Sequence, residues 1–152
     1  MPLPADTLEA SVDIAASPAQ VWALVSDPRK MRRWSPQLVR SFPRGGSGEG
    51  ARFLNINRMG FLVWPTNSKV VRHEPEHEIA WRVKDNYTIW GLRLEPTAAG
   101  TRLTQYREAP QGISDISVRL TKRFMGGVAK FTRTLQSDMA TTLERIKAEA
   151  ES

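Results

Sequence analysis

Five residues in the middle of the chain match a metalloprotease pattern letter for letter. His73-Glu74-Pro75-Glu76-His77 reads H-E-x-x-H. That chemistry needs both histidines on one helix face, one turn apart, holding zinc beside a glutamate base. Here a proline separates them, and proline inside a helix costs about 3 kcal/mol. The chain has only these two histidines, so none remains to complete a zinc site. A polar turn between two strands is the better reading. Gly46, Gly48 and Ala51 fit a loose G-x-G-x-x-A dinucleotide pattern. The residues after it read as a strand where the fingerprint needs a helix, so this is a hairpin loop. There is no G-x-S-x-G elbow and no P-loop lysine. Cysteine is absent, which excludes thiolate nucleophiles, disulfides and thiolate metal sites. Carboxylates, tyrosines and lysines are available for acid–base work, yet no spacing singles out a pair. No metal and no cofactor is expected.

The elements that would position a site are easier to read. Leu8, Ala10, Val12 and Ile14 alternate as on a half-buried strand. Ser17-Pro18-Ala19-Gln20 has the serine, proline and glutamine of a capping box and opens a helix carrying Val21, Trp22, Leu24 and Val25. Asp27-Pro28 ends it and caps a second short helix with Met31 and Trp34, closed by Pro36. Strands are expected at Leu38–Phe42, Ala51–Arg58, Phe61–Trp64, Ser68–Glu74, Glu78–Lys84, Thr88–Glu95 and Thr101–Glu108. Short turns separate them, which implies an antiparallel meander. From Ile113 to Ala150 the chain reads as helix. Val128, Phe131, Leu135, Met139, Leu143 and Ile146 form one apolar stripe. Gly126-Gly127 should break it, leaving a shorter segment Ser114–Met125 in front.

The 152 residues are enough for one domain with a sizeable core. Met1-Pro2-Leu3-Pro4-Ala5-Asp6 has neither the basic start nor the apolar run of a signal peptide. No apolar stretch approaches the ~20 residues of a membrane span. The expected location is the cytoplasm. The net charge of +6 is unevenly spread. Arg29, Lys30, Arg32, Arg33, Arg40 and Arg44 fall in one stretch without an acid, and Arg119, Lys122, Arg123, Lys130 and Arg133 in another. Such runs are usually solvated faces. The sharper alternative is weak contact of residues 29–44 with an anionic membrane; nucleic acid is disfavoured.

A family resemblance covers nearly the whole chain. It is carried by Val12-Asp13-Ile14-Ala15-Ala16-Ser17-Pro18-Ala19-Gln20-Val21-Trp22, Val25-Ser26-Asp27-Pro28 and Trp34-Ser35-Pro36. Further on come Gly50-Ala51-Arg52-Phe53, Asn57, Trp64-Pro65-Thr66, Glu74-Pro75 and Ile79-Ala80-Trp81-Arg82-Val83. Leu94-Glu95-Pro96, Gly100-Thr101-Arg102-Leu103-Thr104 and Leu143-Glu144-Arg145-Ile146-Lys147 complete it. These residues resemble the polyketide cyclase/dehydrase-like (SRPBCC) branch of the START/Bet v 1-like superfamily. The resemblance implies an α+β helix-grip fold. In that fold a curved seven-stranded antiparallel sheet wraps a long C-terminal helix, with two short helices after the first strand. It carries over no catalytic residue, because a shared fold does not give a shared reaction.

Strand alternation then nominates an inner face. Leu94 and Leu103 flank a turn and point inward, so Trp90, Leu92, Gln105 and Arg107 do too. Ile79, Trp81 and Val83 share a face, as do Phe53, Asn55 and Asn57, and Ser68 and Val70. A bulge would flip any of these registers. With Trp34 at the mouth, Trp64 near the gate, and Phe131, Leu135 and Met139 from the helix, the set describes an apolar, aromatic cavity. Asn57, Ser68, Gln105 and Arg107 are its few polar groups. The expected partner is a hydrophobic small molecule, lipid-like or aromatic, bound by a monomer or homodimer. The alternatives are a metal-free cyclase or dehydratase whose Arg107 stabilises an enolate, and a basic-surface interaction protein. Residues 59–64 with the glycine loop before them, and the segment 112–127, are the candidate gates.

Overall fold

The computed structural model describes residues 7–110, 119, 121, 123 and 127–152. β1 (Leu8–Ile14) is followed by α1 (Pro18–Val25) and a 3-10 helix (Pro28–Arg33). Six strands come next: β2 (Leu38–Gly45), β3 (Arg52–Met59), β4 (Leu62–Glu74), β5 (Glu78–Val83), β6 (Ile89–Thr97) and β7 (Gly100–Glu108). The last element is α2 (Val128–Ala150). All seven strands form one antiparallel sheet in the order β1-β7-β6-β5-β4-β3-β2. This is the helix-grip arrangement.

The early helices follow local chemistry. Ser17 Oγ accepts from the Gln20 N–H (3.2 Å), and Gln20 Oε1 accepts from the Ser17 N–H (2.9 Å). Two otherwise orphaned donors are thereby satisfied at the start of α1. Asp27 caps the next element by accepting from the Arg29 N–H at 3.0 Å. That element is a 3-10 helix rather than an α-helix. With three residues per turn, residues three apart eclipse one another. Met31 and Trp34 therefore point the same way, into the protein, and both are buried.

Two expected strands, Phe61–Trp64 and Ser68–Glu74, are a single strand, β4. Pro65 does not break it. Pro65 pairs with Ile56 of β3, and β5 joins β4 only from Ser68 onward. At Pro65 the strand has one neighbour, so the missing N–H faces an unpaired edge. Further along the ladder the register shifts between Val70 and Arg72. The extra residue flips the phase: Val70 opposite Trp81 lies on the concave face, and Arg72 opposite Ala80 on the convex one.

The outer face holds a cluster that alternation alone did not reveal. Tyr106 is only 1% exposed. It lies across Gly91, its cross-strand neighbour on β6. A Cβ at Gly91 would stand 2.3 Å from Tyr106 Cζ. Arg72 donates to the Tyr106 hydroxyl at 2.8 Å and to Glu108 Oε1 at 2.8 Å, while the hydroxyl donates to Glu78. Arg93 stacks over the ring at 4.8 Å. Burial, then the bond to Glu78, holds the tyrosine pKa far above its usual value, so it is a neutral structural group.

α2 begins directly after Gly127, whose φ of 96° suits glycine and breaks the preceding pattern. The expected segment Ser114–Met125, with Ile113, Ile116, Val118 and Leu120, lies outside the described residues except Arg119, Thr121 and Arg123, which are helical. Along α2 one stripe does two things. Leu143 and Ile146 join the main core with Ile14, Val21, Val25, Leu92 and Leu103. Leu135 and Met139, one to two turns earlier, pack with Leu8, Phe131 and Trp90 in a separate, smaller cluster. The C-terminal end is tied down by Lys147 Nζ to the Asp13 carbonyl (2.7 Å), the Ala15 N–H to Glu151 (2.8 Å) and an Arg33–Glu149 ion pair (3.0 Å).

The Tyr106–Gly91 stack gives a direct test. Gly91→Ala forces the ring away and is expected to cost about 1–3 kcal/mol in urea unfolding. Most of that penalty should vanish when Tyr106 is also truncated to alanine. A full penalty in the double variant would mean that the clash is not the cause.

Candidate functional site

A cavity of about 620 Å³ lies between the concave sheet face and the N-terminal half of α2. It exists because the neighbouring rows of the sheet carry side chains that differ in reach. Trp81 of β5 and Trp90 of β6 stand directly opposite each other, and Arg107 of β7 is next in the same row. Beyond them Phe53 pairs with Ser68, Asn55 with Thr66 and Asn57 with Trp64, which brings the β3–β4 ribbon over as a second wall. Phe131, Leu135 and Met139 of α2 form the roof. Of the twelve residues nominated from the sequence, eleven line this space: Phe53, Asn57, Trp64, Ser68, Trp81, Trp90, Gln105, Arg107, Phe131, Leu135 and Met139.

Trp34 is the correction. It was expected at the mouth, but it is 2% exposed, sits in the main core cluster and is not in the cavity wall. The 3-10 geometry described above turns it inward behind Met31, which does reach the cavity. Its carbonyl accepts from Arg145 of α2 at 3.1 Å.

The polar groups are organised on β2, β3 and β4. Ser41 donates to Asn55 Oδ1 (2.8 Å), Asn55 Nδ2 donates to Ser68 Oγ (2.7 Å), and Asn57 Nδ2 donates to Thr66 Oγ1 (3.0 Å). Each of these three donors thus has an acceptor. The β5–β6 turn closes the rim with Lys84, Asp85, Asn86, Tyr87 and Thr88. It is pinned by Asp85, which accepts from the Asn67 N–H at 2.6 Å.

One group in the wall escaped the sequence reading. Asp138 of α2 reaches the cavity beside Met139 and accepts from Gln37 Nε2 at 2.8 Å. Burial raises its carboxyl pKa, against the opposing effects of the Gln37 hydrogen bond and the Arg145 charge. The signal was present: position 138 follows Leu135 by three, on the inward stripe, where an acid is out of place.

The other motifs fall away from this site. His73 is the next-to-last residue of β4, Pro75 to His77 form the turn into β5, and the His73 ring meets Trp22 edge-on at 5.4 Å. Among the described residues no group of three or more His, Asp or Glu is placed to hold a metal ion. Gly46 and Gly48 lie in the β2–β3 loop. In the basic stretch, Arg29 pairs with Asp27 (2.8 Å) and Arg33 with Glu149 (3.0 Å), while Arg32, Arg40 and Arg44 are exposed. No described helix is long and apolar enough to cross a membrane.

The profile of a family described as "Polyketide cyclase / dehydrase and lipid transport" matches residues 5–151. The chain belongs to this family. Solved structures share its fold. The aromatase/cyclase ZhuI from Streptomyces sp. R1128 is 15% identical with a TM-score of 0.74, over 96% of this chain and 93% of that one. The di-domain aromatase/cyclase StfQ of the steffimycin biosynthetic pathway is 17% identical with a TM-score of 0.75, over 95% of this chain. The present chain spans 50% of the StfQ chain. A polyketide-cyclase-like protein from Corynebacterium glutamicum, Cgl2372, is 29% identical with a TM-score of 0.61, over 95% and 91% of the two chains. No curated protein matches by sequence.

The raised Asp138 carboxyl makes a signed prediction. The folded state holds its proton more tightly than the unfolded chain, so this group's contribution to stability falls as pH rises through the window above the usual aspartate value. Asp138→Asn keeps an acceptor for Gln37 without the charge. Its melting temperature is expected to exceed that of the unmodified protein at pH 7, with the gap closing below about pH 4. A gap that widens on acidification would reverse the assignment.

Proposed function

We propose that this chain binds a hydrophobic small molecule, aromatic or lipid-like, inside the cavity between the sheet and α2. The observation that carries this reading is the wall itself. Trp64, Trp81, Trp90, Phe53 and Phe131 face a space of about 620 Å³ whose wall is mostly apolar, with polar side chains such as Asn57, Ser68 and Gln105 set among them and a polar rim at the β5–β6 turn. Cavities of this size and lining are what drug-sized ligands occupy, and indole faces suit flat rings. A protein with no use for the space would gain by filling it, since voids of this kind cost stability. Family membership supports the reading, and the aromatase/cyclase relatives make a polyketide-derived ring system one member of the ligand class.

A second reading is turnover, and Asp138 favours it. Cyclisation with loss of water needs a group that accepts a proton from carbon and later returns one to a departing hydroxyl. A carboxyl in the wall, its pKa raised by burial, is poised for both roles. Arg107, in the row beside Trp90, would face the developing enolate.

Native mass spectrometry and solvent extraction of freshly purified protein are expected to show a discrete hydrophobic compound. Leu135→Trp, which fills the cavity from the helix side, should weaken rebinding at least roughly tenfold without unfolding the protein. A clean apo mass, with no tryptophan quenching by a panel of aromatic and lipid compounds, would remove the binding reading. For turnover, Asp138→Asn should slow conversion of a poly-keto test substrate by roughly 100-fold or more while leaving its affinity within about threefold. Conversion at an unchanged rate would remove Asp138 from the chemistry, and conversion by the unmodified protein no faster than without protein would leave binding as the sole activity.

A further inference from the structure

The polar side chains of β2, β3 and β4 that face the cavity answer one another, as described above. Gln105, on the opposite wall, does not fit that scheme. It is 5% exposed and lines the cavity. Its Oε1 is buried without a hydrogen-bond partner. Its cross-strand neighbours are Ala10 on β1 and Leu92 on β6, neither of which has a polar side-chain atom. β7 is paired on both sides, so the backbone donors around Gln105 are largely committed to the sheet ladder. A buried acceptor with no donor is unfavourable. An apolar residue would suit the position, as Leu92 and Leu103 suit theirs next to it on the same face.

We propose that Gln105 is the cavity's anchor for a hydroxyl group of the bound molecule. This rests on the cavity-binding reading and names a chemical class within it: a ring compound bearing a hydroxyl at the end that meets β7. A hydroxyl both donates and accepts, so it satisfies either orientation of the amide. A ketone, ester or carboxylate only accepts and leaves the amide oxygen unmet. A hydrocarbon leaves both ends of the amide unmet.

The neighbouring row fixes where the ring lies. Trp81 and Trp90 are directly opposite across β5 and β6, and Trp90 is opposite Arg107, two residues beyond Gln105 on β7. The two rows are about 7 Å apart along the strand. A bicyclic ring lying against the indoles spans that distance and carries a substituent to the amide. Gln105 then selects among ligands of one size and shape, which the aromatic wall by itself cannot do.

The test uses a matched pair of probes, 2-naphthol and naphthalene, on the unmodified protein and on Gln105→Met, which keeps the length of the side chain and removes its polar end. The unmodified protein should favour 2-naphthol, and Gln105→Met should lower that preference roughly tenfold, the scale of one buried hydrogen bond. The variant's unliganded melting temperature should be no lower than that of the unmodified protein. An unchanged preference in a folded variant overturns the anchor and leaves cavity binding standing. Failure of both probes to bind the unmodified protein overturns both readings. If the variant does not fold, the unmodified protein decides. By NMR, 2-naphthol should shift the Gln105 side-chain amide signals more than naphthalene does, and equal shifts reject the proposal.

Discussion

Everything in this fold depends on where the long helix touches the sheet and where it stands away from it. Leu143 and Ile146 reach the floor of the sheet at Leu103 and Leu92 and meet α1 at Val21 and Val25. Lys147, Glu149 and Glu151 then fasten the same end to Asp13, Arg33 and Ala15. Half of one amphipathic stripe is thus held by packing and by hydrogen bonds to backbone. The other half continues on the same straight axis, but the sheet beneath it carries indoles and a guanidinium in place of leucines. The cavity is the space enclosed by this half of the helix, the β3–β4 ribbon and the row of Trp81, Trp90 and Arg107, with Trp90 packed against the cluster of Leu8, Leu135 and Met139. The cavity is therefore a consequence of side-chain choice along two rows of the sheet, not of a special backbone.

The sheet has two faces with opposite solutions to the same problem. On the outer face, Tyr106 covers Gly91 and its hydroxyl is enclosed by Arg72 and Glu78. That cluster is closed, with each polar group answered by another within the chain. It leaves nothing for a ligand and gives the middle of the sheet rigidity at the strands that carry the cavity floor. On the inner face the ladder from Ser41 through Asn55 to Ser68 is likewise closed. Among the described residues that line the cavity, the open groups include the Gln105 amide oxygen and the Asp138 carboxyl, which a single bond from Gln37 only partly satisfies. Open polar groups in an otherwise answered interior are where recognition or chemistry is expected.

Periodicity made most of the architecture legible. Period-two alternation placed Trp81, Trp90, Gln105 and Arg107 on one face because β5, β6 and β7 pair without a bulge. The capping box over Ser17 and Gln20 located α1 because its chemistry is local. What was not legible depends on tertiary context. Pro65 reads as a strand breaker until it is known that β4 has an unpaired edge there. Trp34 reads as a residue near the mouth until the 3-10 turn aligns it with Met31. The bulge at Val71 moves Arg72 to the outer face, where it meets a tyrosine 34 residues away in sequence. Asp138 was visible as an acid on an apolar stripe, but only its neighbour Gln37, 101 residues earlier, makes it part of a site.

This division of labour also explains how a chain of this size tolerates a hollow interior. A cavity removes contacts that the surrounding side chains would otherwise make. The losses here fall on the N-terminal half of α2 and on the β3–β4 ribbon, at the free side of the sheet. The compensating contacts lie elsewhere: in the core around Ile14, Leu103 and Ile146, in the anchored end of α2 and in the Tyr106 cluster. Local stability should then rise from the cavity toward the helix C-terminus. The elements that surround the cavity are those that the core holds least. Gly127, at the start of α2 with φ 96°, sits at the cavity end of that gradient. The helix is thus fastened at the end that carries Leu143 and Ile146 and bounds the cavity at the end that carries Phe131 and Leu135.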